Sequence, residues 1–149
     1  FFTFRNASPQ DFRSWRNAFI HFLKKVTFRW GGSSKRMVIK SPVHTARVKL
    51  LLEMFPKAQF IYVHRHPYEV YASASHMADT YYWYCYFSKP RDGEVTDFIV
   101  NQYELLHREY VATRSLIPKG NLVEVRFEDL ERDHVGEMKR IYDGLGLDW

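Results

Sequence analysis

The stretch RMVIKSPVHTARVKLLLEMFPKAQFIYVHRHPYEVYASASHM, residues 36–77, decides the fold. It contains two short apolar runs, at 37–39 and 60–63, and each leads through a turn into a segment with helical spacing. Pro56 ends the first helix because proline cannot continue the backbone ladder, and Pro67 opens the second because its missing N–H is not needed there. The order strand, helix, strand, helix predicts a βαβα unit with parallel strands and a right-handed crossover.

Two basic residues stand where the predicted strands end. Lys40 follows the first strand and Arg65 follows the second, each just before a helix begins. Ligands of parallel α/β sheets bind beyond the carboxyl ends of the strands. Cations, free backbone N–H groups and helix dipoles at one edge favour an anion, so the sequence predicts a phosphate site there.

These residues and their spacing resemble the sulfotransferases that use 3′-phosphoadenosine 5′-phosphosulfate (PAPS) as donor. In that family an Arg at a strand end and a Ser eight positions later bind the donor's 3′-phosphate, and Arg65 and Ser73 match this spacing. Lys40, in IKSP, matches the family's Lys near the sulfuryl group, in the Lys-x-Pro form of carbohydrate- and protein-tyrosine-type members. VEVRFEDL at 123–130 resembles the family's late strand and its (F/Y)-E-D-L turn, and the likeness covers roughly residues 36–145.

The resemblance implies an α/β fold with a P-loop-NTPase-like core, in which helices flank a parallel sheet. The strands are expected near 37–40, 59–64 and 122–127, and residues 1–149 are expected to form a single sulfotransferase domain. The family's phosphosulfate loop has no match, because the glycines at 31–35 lack the spacing of a phosphate loop. Its basic C-terminal donor segment has no match either, so the domain is expected to be truncated and its core incomplete.

The same resemblance implies roles for individual residues, with no metal required. Lys40 would stabilise the charge on the oxygen that leaves with the nucleotide, and a base would take the proton of the acceptor hydroxyl. Small-molecule members carry Lys-x-His, whereas position 42 is Pro, so His44 becomes the candidate base. The alternatives are that His44 caps the turn and that a Glu from an upstream region is the base. Ser75 is a weaker phosphate ligand than Ser73 because it lies on another helical face.

Composition narrows the class of protein. The 46% hydrophobic and 26% charged residues are typical of a globular domain, and the net charge of +5 suits an anionic ligand but is too diffuse to indicate nucleic acid. The single Cys85 excludes a disulfide framework and a Cys/His metal set. No apolar run has membrane-spanning length, and no signal-peptide pattern opens the chain.

The remaining segments predict three further helices. One starts at the Ser8 cap and carries an aromatic stripe expected to face a core, one covers 94–116, and one covers 133–145. The aromatic run at 81–87 either lines an acceptor pocket or stacks on adenine, or else packs beneath another part of the domain. The acidic pair after the last strand, at 128–129, is expected to fix its turn.

The leading interpretation is a PAPS-dependent sulfotransferase core acting on a hydroxyl of a carbohydrate, a tyrosine or a small molecule. A P-loop kinase is disfavoured because no Gly-x-x-x-x-Gly-Lys-Ser/Thr and no strand-end Asp for Mg²⁺ occur. A non-catalytic anion- or nucleic-acid-binding module is disfavoured because the aromatic residues fall at inward helical positions. The expected partners are a nucleotide donor and a hydroxyl acceptor; the sequence leaves open the oligomeric state and the compartment, cytoplasm or Golgi lumen.

Overall fold

The computed structural model describes residues 2–32 and 35–149. The chain divides into two compact units, Phe1–His44 and Thr45–Trp149. The α-helices are α1 (Pro9–Arg29), α2 (Val48–Met54), α3 (Pro67–Thr80), α4 (Glu94–Thr113), α5 (Phe127–Arg132) and α6 (His134–Leu145). The strands are β1 (Phe60–His64) and β2 (Leu122–Arg126), and short 3-10 helices cover Pro42–Arg47, Tyr82–Cys85 and Arg114–Leu116.

Helix α1 in the first unit begins where the sequence predicts. The Ser8 hydroxyl accepts the backbone N–H of Asp11 at 3.1 Å, which satisfies one of the free N–H groups of the first turn. The aromatic side chains stack along the helix, for example Trp15 on Phe19 with ring centroids 5.3 Å apart. Within α1 no side chain is buried, and Phe22 is 59% exposed. The aromatic stripe therefore packs ring on ring without forming a buried core inside this unit.

The strand predicted at 37–40 is wrong, because residues 36–41 form extended coil. Val38 is 82% exposed, and Ile39 is exposed as well. An apolar run becomes a strand only when a neighbouring strand takes its N–H and C=O groups and packs its side chains. The sheet in the described ranges is two-stranded rather than the expected three.

The second unit follows the predicted order of elements. The strands β1 and β2 pair in parallel, in a register that runs from Phe60 opposite Leu122 to His64 opposite Arg126. The chain between them passes through α3 and α4. The α/β class is confirmed, and two of the three predicted strands form and pair in parallel, whereas the βαβα unit predicted over 36–77 is wrong because its first strand is coil.

Alternating side chains give the sheet a helix on each face. On one face Tyr110 of α4 stacks on Tyr62 of β1, with ring centroids 3.8 Å apart. On the other face Val123 and Val125 of β2 pack against α6. A Cβ on Gly144 of α6 would come within 2.7 Å of a Val123 methyl group, so this close approach requires glycine.

Candidate phosphate-binding site

Arg65 directly follows β1, at the carboxyl edge of the sheet, as the sequence predicts. Its side chain is 32% exposed. The terminal Nη2 donates to Oε2 of Glu69 at 3.4 Å, in the first turn of α3. The Nε is buried and makes no hydrogen bond within the described ranges. The guanidinium therefore turns one nitrogen inward and lays a terminal nitrogen along the start of α3.

Ser73 is exposed on α3 and lies on the same helical face as Glu69. Residues four positions apart are neighbours on a helix surface, and Glu69 precedes Ser73 by four. Arg65 contacts the carboxylate of Glu69, so it reaches the first turn of the helix that carries Ser73. Ser75 is half-buried and sits about 200° further round the helix, so it belongs to a different face.

The first turn of helix α5, which directly follows β2, contacts the chain at the end of β1. The Arg65 Cζ lies 4.8 Å from the ring centre of Phe127. The Glu128 carboxylate accepts the backbone N–H of His66 at 2.9 Å. This hydrogen bond lowers the pKa of Glu128, and the nearby Arg126 and Arg65 charges lower it further. Glu128 therefore reaches across to the turn of the neighbouring strand, beyond the expected role in its own turn.

Lys40 and His44 belong to the first unit. Lys40 is exposed in the extended coil before the 3-10 helix Pro42–Arg47. His44 lies in that 3-10 helix, where its backbone N–H donates to the Ser41 carbonyl at 3.0 Å. Its ring is half-buried and meets Phe19 edge-on, with centroids 5.7 Å apart. Within the second unit, Arg65 contacts Glu69 of α3, and Ser73 lies one helical turn beyond Glu69.

Comparison with known proteins gives the family. The profile of the sulfotransferase family matches residues 3–149. The chain belongs to the sulfotransferase family. Two curated relatives, the omega-hydroxy-beta-dihydromenaquinone-9 sulfotransferases Stf3 of Mycobacterium bovis and Mycobacterium tuberculosis, are each 34% identical to it over 140 residues. The match covers 94% of this chain and 35% of each relative, so the chain spans about a third of their length. No solved structure matches significantly.

This sulfotransferase-family chain also contains a polar network that sequence reasoning missed. The Tyr110 hydroxyl of α4 donates to Oε1 of Glu124 on β2 at 2.5 Å, and Arg114 Nη1 donates to the same oxygen at 3.1 Å. The hydrogen bond from Tyr110 lowers the pKa of Glu124, and burial, followed by that hydrogen bond, raises the pKa of Tyr110. The network ties α4 to β2 two residues before the strand ends at Arg126.

The pairing register of β1 with β2 would have located the contact between Arg65 and Phe127. With His64 opposite Arg126, the residues that follow each strand, Arg65 and Phe127, come to the same edge. A sequence read one motif at a time gives no register, because register depends on which residues of two distant segments pair.

The aromatic run at 81–87 lies on the surface of the second unit. Most of its members are exposed, and the rings of Trp83 and Tyr84 contact each other at a tilt of 31°, with centroids 3.7 Å apart. Neither interpretation of this run is tested by these contacts. Among residues 2–32 and 35–149, no helix is both long and apolar enough to cross a bilayer, and no group of three His, Cys, Asp or Glu is placed to hold a metal ion.

Proposed function

We propose that the full-length protein carrying this sequence transfers a sulfuryl group from PAPS to an acceptor hydroxyl. Membership of the sulfotransferase family and the names of the two relatives support sulfuryl transfer. The observation that carries the donor assignment is the Arg65–Glu69 contact. It supports the proposal because it directs the Arg65 guanidinium to the first turn of the helix that carries Ser73, at the carboxyl edge of a parallel pair, where anionic ligands of such folds bind.

Arg65 and Ser73 bind the 3′-phosphate in this proposal. The guanidinium donates charge-assisted hydrogen bonds, the serine hydroxyl donates another, and the free N–H groups at the start of α3 add a favourable dipole. The phosphate must displace Glu69, whose side chain is 60% exposed. That exposed ion pair contributes only about 0–1 kcal/mol. A phosphate carries up to two negative charges and accepts several hydrogen bonds at once, so it is expected to replace the carboxylate.

Lys40 and His44 carry the proposed chemistry. The acceptor oxygen forms a bond to sulfur while the bond from sulfur to the bridging oxygen of the donor breaks, and 3′-phosphoadenosine 5′-phosphate leaves with the charge. The Lys40 ammonium stabilises that charge, and the His44 imidazole takes the proton of the acceptor hydroxyl.

The acceptor class that the relatives suggest first is an isoprenoid quinone hydroxyl. Their names specify an omega-hydroxylated dihydromenaquinone, and the identity of 34% extends over nearly all of this chain. Carbohydrate, tyrosine and small phenolic hydroxyls are the other classes to compare. A panel with one member of each class separates these possibilities.

The test incubates the full-length protein with PAPS carrying labelled sulfur and with the acceptor panel. The expected result is a labelled sulfate ester on at least one acceptor, with one equivalent of 3′-phosphoadenosine 5′-phosphate released per ester. A parallel incubation with ATP labelled at the γ-phosphate tests the kinase alternative. Phosphoryl transfer without sulfuryl transfer would overturn the proposal, and so would failure to bind PAPS or transfer label to any acceptor.

A further inference from the structure

We propose that Phe127 and Glu128, at the start of α5 directly after β2, are positioning residues for the Arg65 guanidinium. The inference rests on the proposed role of Arg65 in binding the 3′-phosphate. It gives a role to the first two residues of the sequence FED at 127–129: the segment after β2 holds Arg65, the proposed phosphate-binding residue after β1.

Phe127 fixes the guanidinium through its ring. The distance of 4.8 Å from Cζ to the ring centre lies within the range of about 6 Å in which a cation is attracted to an aromatic face. The contact combines with the inward-turned Nε to limit rotation of the side chain. The terminal nitrogens are then left at the surface of α3, where one already binds the carboxylate of Glu69.

Glu128 fixes the backbone on the other side of Arg65. It accepts the N–H of His66, the residue between Arg65 and the Pro67 that opens α3. The His66 side chain makes no capping hydrogen bond, so within the described residues this N–H is held by a side chain from the other strand's turn. The angle between the strand end and the helix that carries Ser73 is thereby set by Glu128.

The parallel register makes this arrangement a property of the fold. His64 opposite Arg126 places the next residues, Arg65 and Phe127, side by side beyond the sheet. A purely structural role for Phe127 would affect folding and all ligands alike. A positioning role affects only the part of donor affinity that depends on the 3′-phosphate, and only while Arg65 is present.

The experiment is a double-mutant cycle in the full-length protein with Phe127→Leu, Arg65→Ala and both changes together. Calorimetry measures Kd for 3′-phosphoadenosine 5′-phosphate and for adenosine 5′-phosphate, which lacks the 3′-phosphate. Phe127→Leu is expected to weaken the first about three- to tenfold, to leave the second unchanged, and to add nothing when Arg65 is already Ala. Phe127→Tyr keeps the ring and is expected to retain the affinity.

Glu128→Ala gives an independent variant, with Glu131→Ala, an exposed carboxylate on the same helix, as its matched control. Glu128→Ala is expected to weaken the 3′-phosphate nucleotide roughly two- to fivefold, while Glu131→Ala leaves it unchanged. A thermal unfolding curve for each variant separates loss of fold from loss of positioning, and Glu128→Ala carries the test if Phe127→Leu does not fold.

The outcomes separate the two claims. If Arg65→Ala weakens both nucleotides equally, the proposed donor site fails and the positioning role fails with it. If Arg65→Ala distinguishes the nucleotides but Phe127→Leu weakens both alike, or its effect adds in full to that of Arg65→Ala, only the positioning role is overturned. A loss confined to the 3′-phosphate nucleotide that disappears in the Arg65→Ala background supports it.

Discussion

The segments that carry Arg65 and Lys40 differ in the contacts that hold these two side chains. Arg65 contacts Glu69 on the next helix and Phe127 from the neighbouring strand's turn. Lys40 is exposed in a coil that lies outside any strand. The difference arises from pairing: β1 has a parallel neighbour, whereas the described residues provide none for 36–41. Both motifs contain a basic residue, but only the one that follows a paired strand is held in place by contacts with neighbouring elements.

The comparison predicts two kinds of mutational effect. In the segment that carries Lys40, substitutions are expected to change the rate of transfer with little change in donor affinity. In the segment that carries Arg65, substitutions are expected to change donor affinity according to the strength of the hydrogen bonds that they remove. The distinction between the two segments is contradicted if a substitution in the Lys40 segment changes donor affinity instead of the rate, or if one in the Arg65 segment changes the rate instead of donor affinity.

The largest effect is expected for His44→Ala in the full-length protein. Loss of a general base lowers kcat by roughly 10²–10⁴-fold while donor affinity stays the same. Steady-state kinetics with PAPS, together with calorimetry of the product nucleotide, measures both quantities. His21→Ala, which removes an exposed histidine of α1, is the control and is expected to leave kcat unchanged. An unchanged kcat in His44→Ala assigns the base to another residue.

Lys40→Ala tests whether the Lys40 ammonium stabilises the charge on the oxygen that leaves with the nucleotide. Removing one cation that stabilises developing charge lowers kcat by about 10²–10³-fold. Lys49→Ala, at an exposed position on α2, serves as the matched lysine and should leave kcat intact. The assignment is contradicted if the two lysine variants have equal kcat, or if Lys40→Ala acts only by raising the Kd of the donor.

Ser73→Ala tests whether the Ser73 hydroxyl binds the 3′-phosphate together with Arg65. Loss of one hydrogen bond to a charged phosphate is expected to weaken 3′-phosphoadenosine 5′-phosphate about tenfold. Ser75→Ala is the control because Ser75 is on a different face and half-buried. Calorimetry that shows a larger loss for Ser75→Ala would exchange the roles of the two serines.

The smallest effect concerns stability. Tyr110→Phe removes the hydroxyl that donates to Glu124, and the free energy of unfolding should fall by about 1 kcal/mol, because Glu124 is partly exposed and the bond is screened. Chemical denaturation measures this change, with Tyr84→Phe at an exposed ring as the control. An equal loss in both variants would show that the Tyr110–Glu124 bond contributes nothing specific.

The same bond gives stability a pH dependence whose sign follows from the two pKa shifts. The pKa of Glu124 is lowered in the folded protein, so its contribution is present above the unfolded value of about 4.3 and is lost as pH falls through the folded value. The pKa of Tyr110 is raised, so its contribution is present below about pH 10 and declines as pH rises above that. Tyr110→Phe should flatten both limbs.

The sequence predicted the elements whose signals are local. Pro56 and Pro67 bounded two helices, Ser8 capped a third, and the apolar runs at 60–63 and 122–127 predicted the two strands. These signals require only neighbours along the chain.

Elements that depend on distant partners were not predictable in the same way. The apolar run at 37–39 resembles a strand in composition, but strand formation requires a pairing partner that local sequence does not specify. Likewise Phe127 and Glu128 were predicted to form a turn but begin helix α5, and their contacts with Arg65 and His66 follow from the register of β1 with β2. The residues of the proposed site could be named from sequence motifs, whereas the residues proposed to position them could not.

The most direct test of the central claim compares Arg65→Ala with Arg108→Ala. Both arginines form ion pairs with a glutamate four residues away, but Arg108 is 63% exposed on α4. Calorimetry in the full-length protein measures Kd for 3′-phosphoadenosine 5′-phosphate and for adenosine 5′-phosphate. Arg65→Ala is predicted to weaken the first roughly tenfold to a hundredfold and to leave the second unchanged, while Arg108→Ala changes neither. Equal losses for both nucleotides in Arg65→Ala, or no loss for either, would contradict the assignment of Arg65 to the 3′-phosphate.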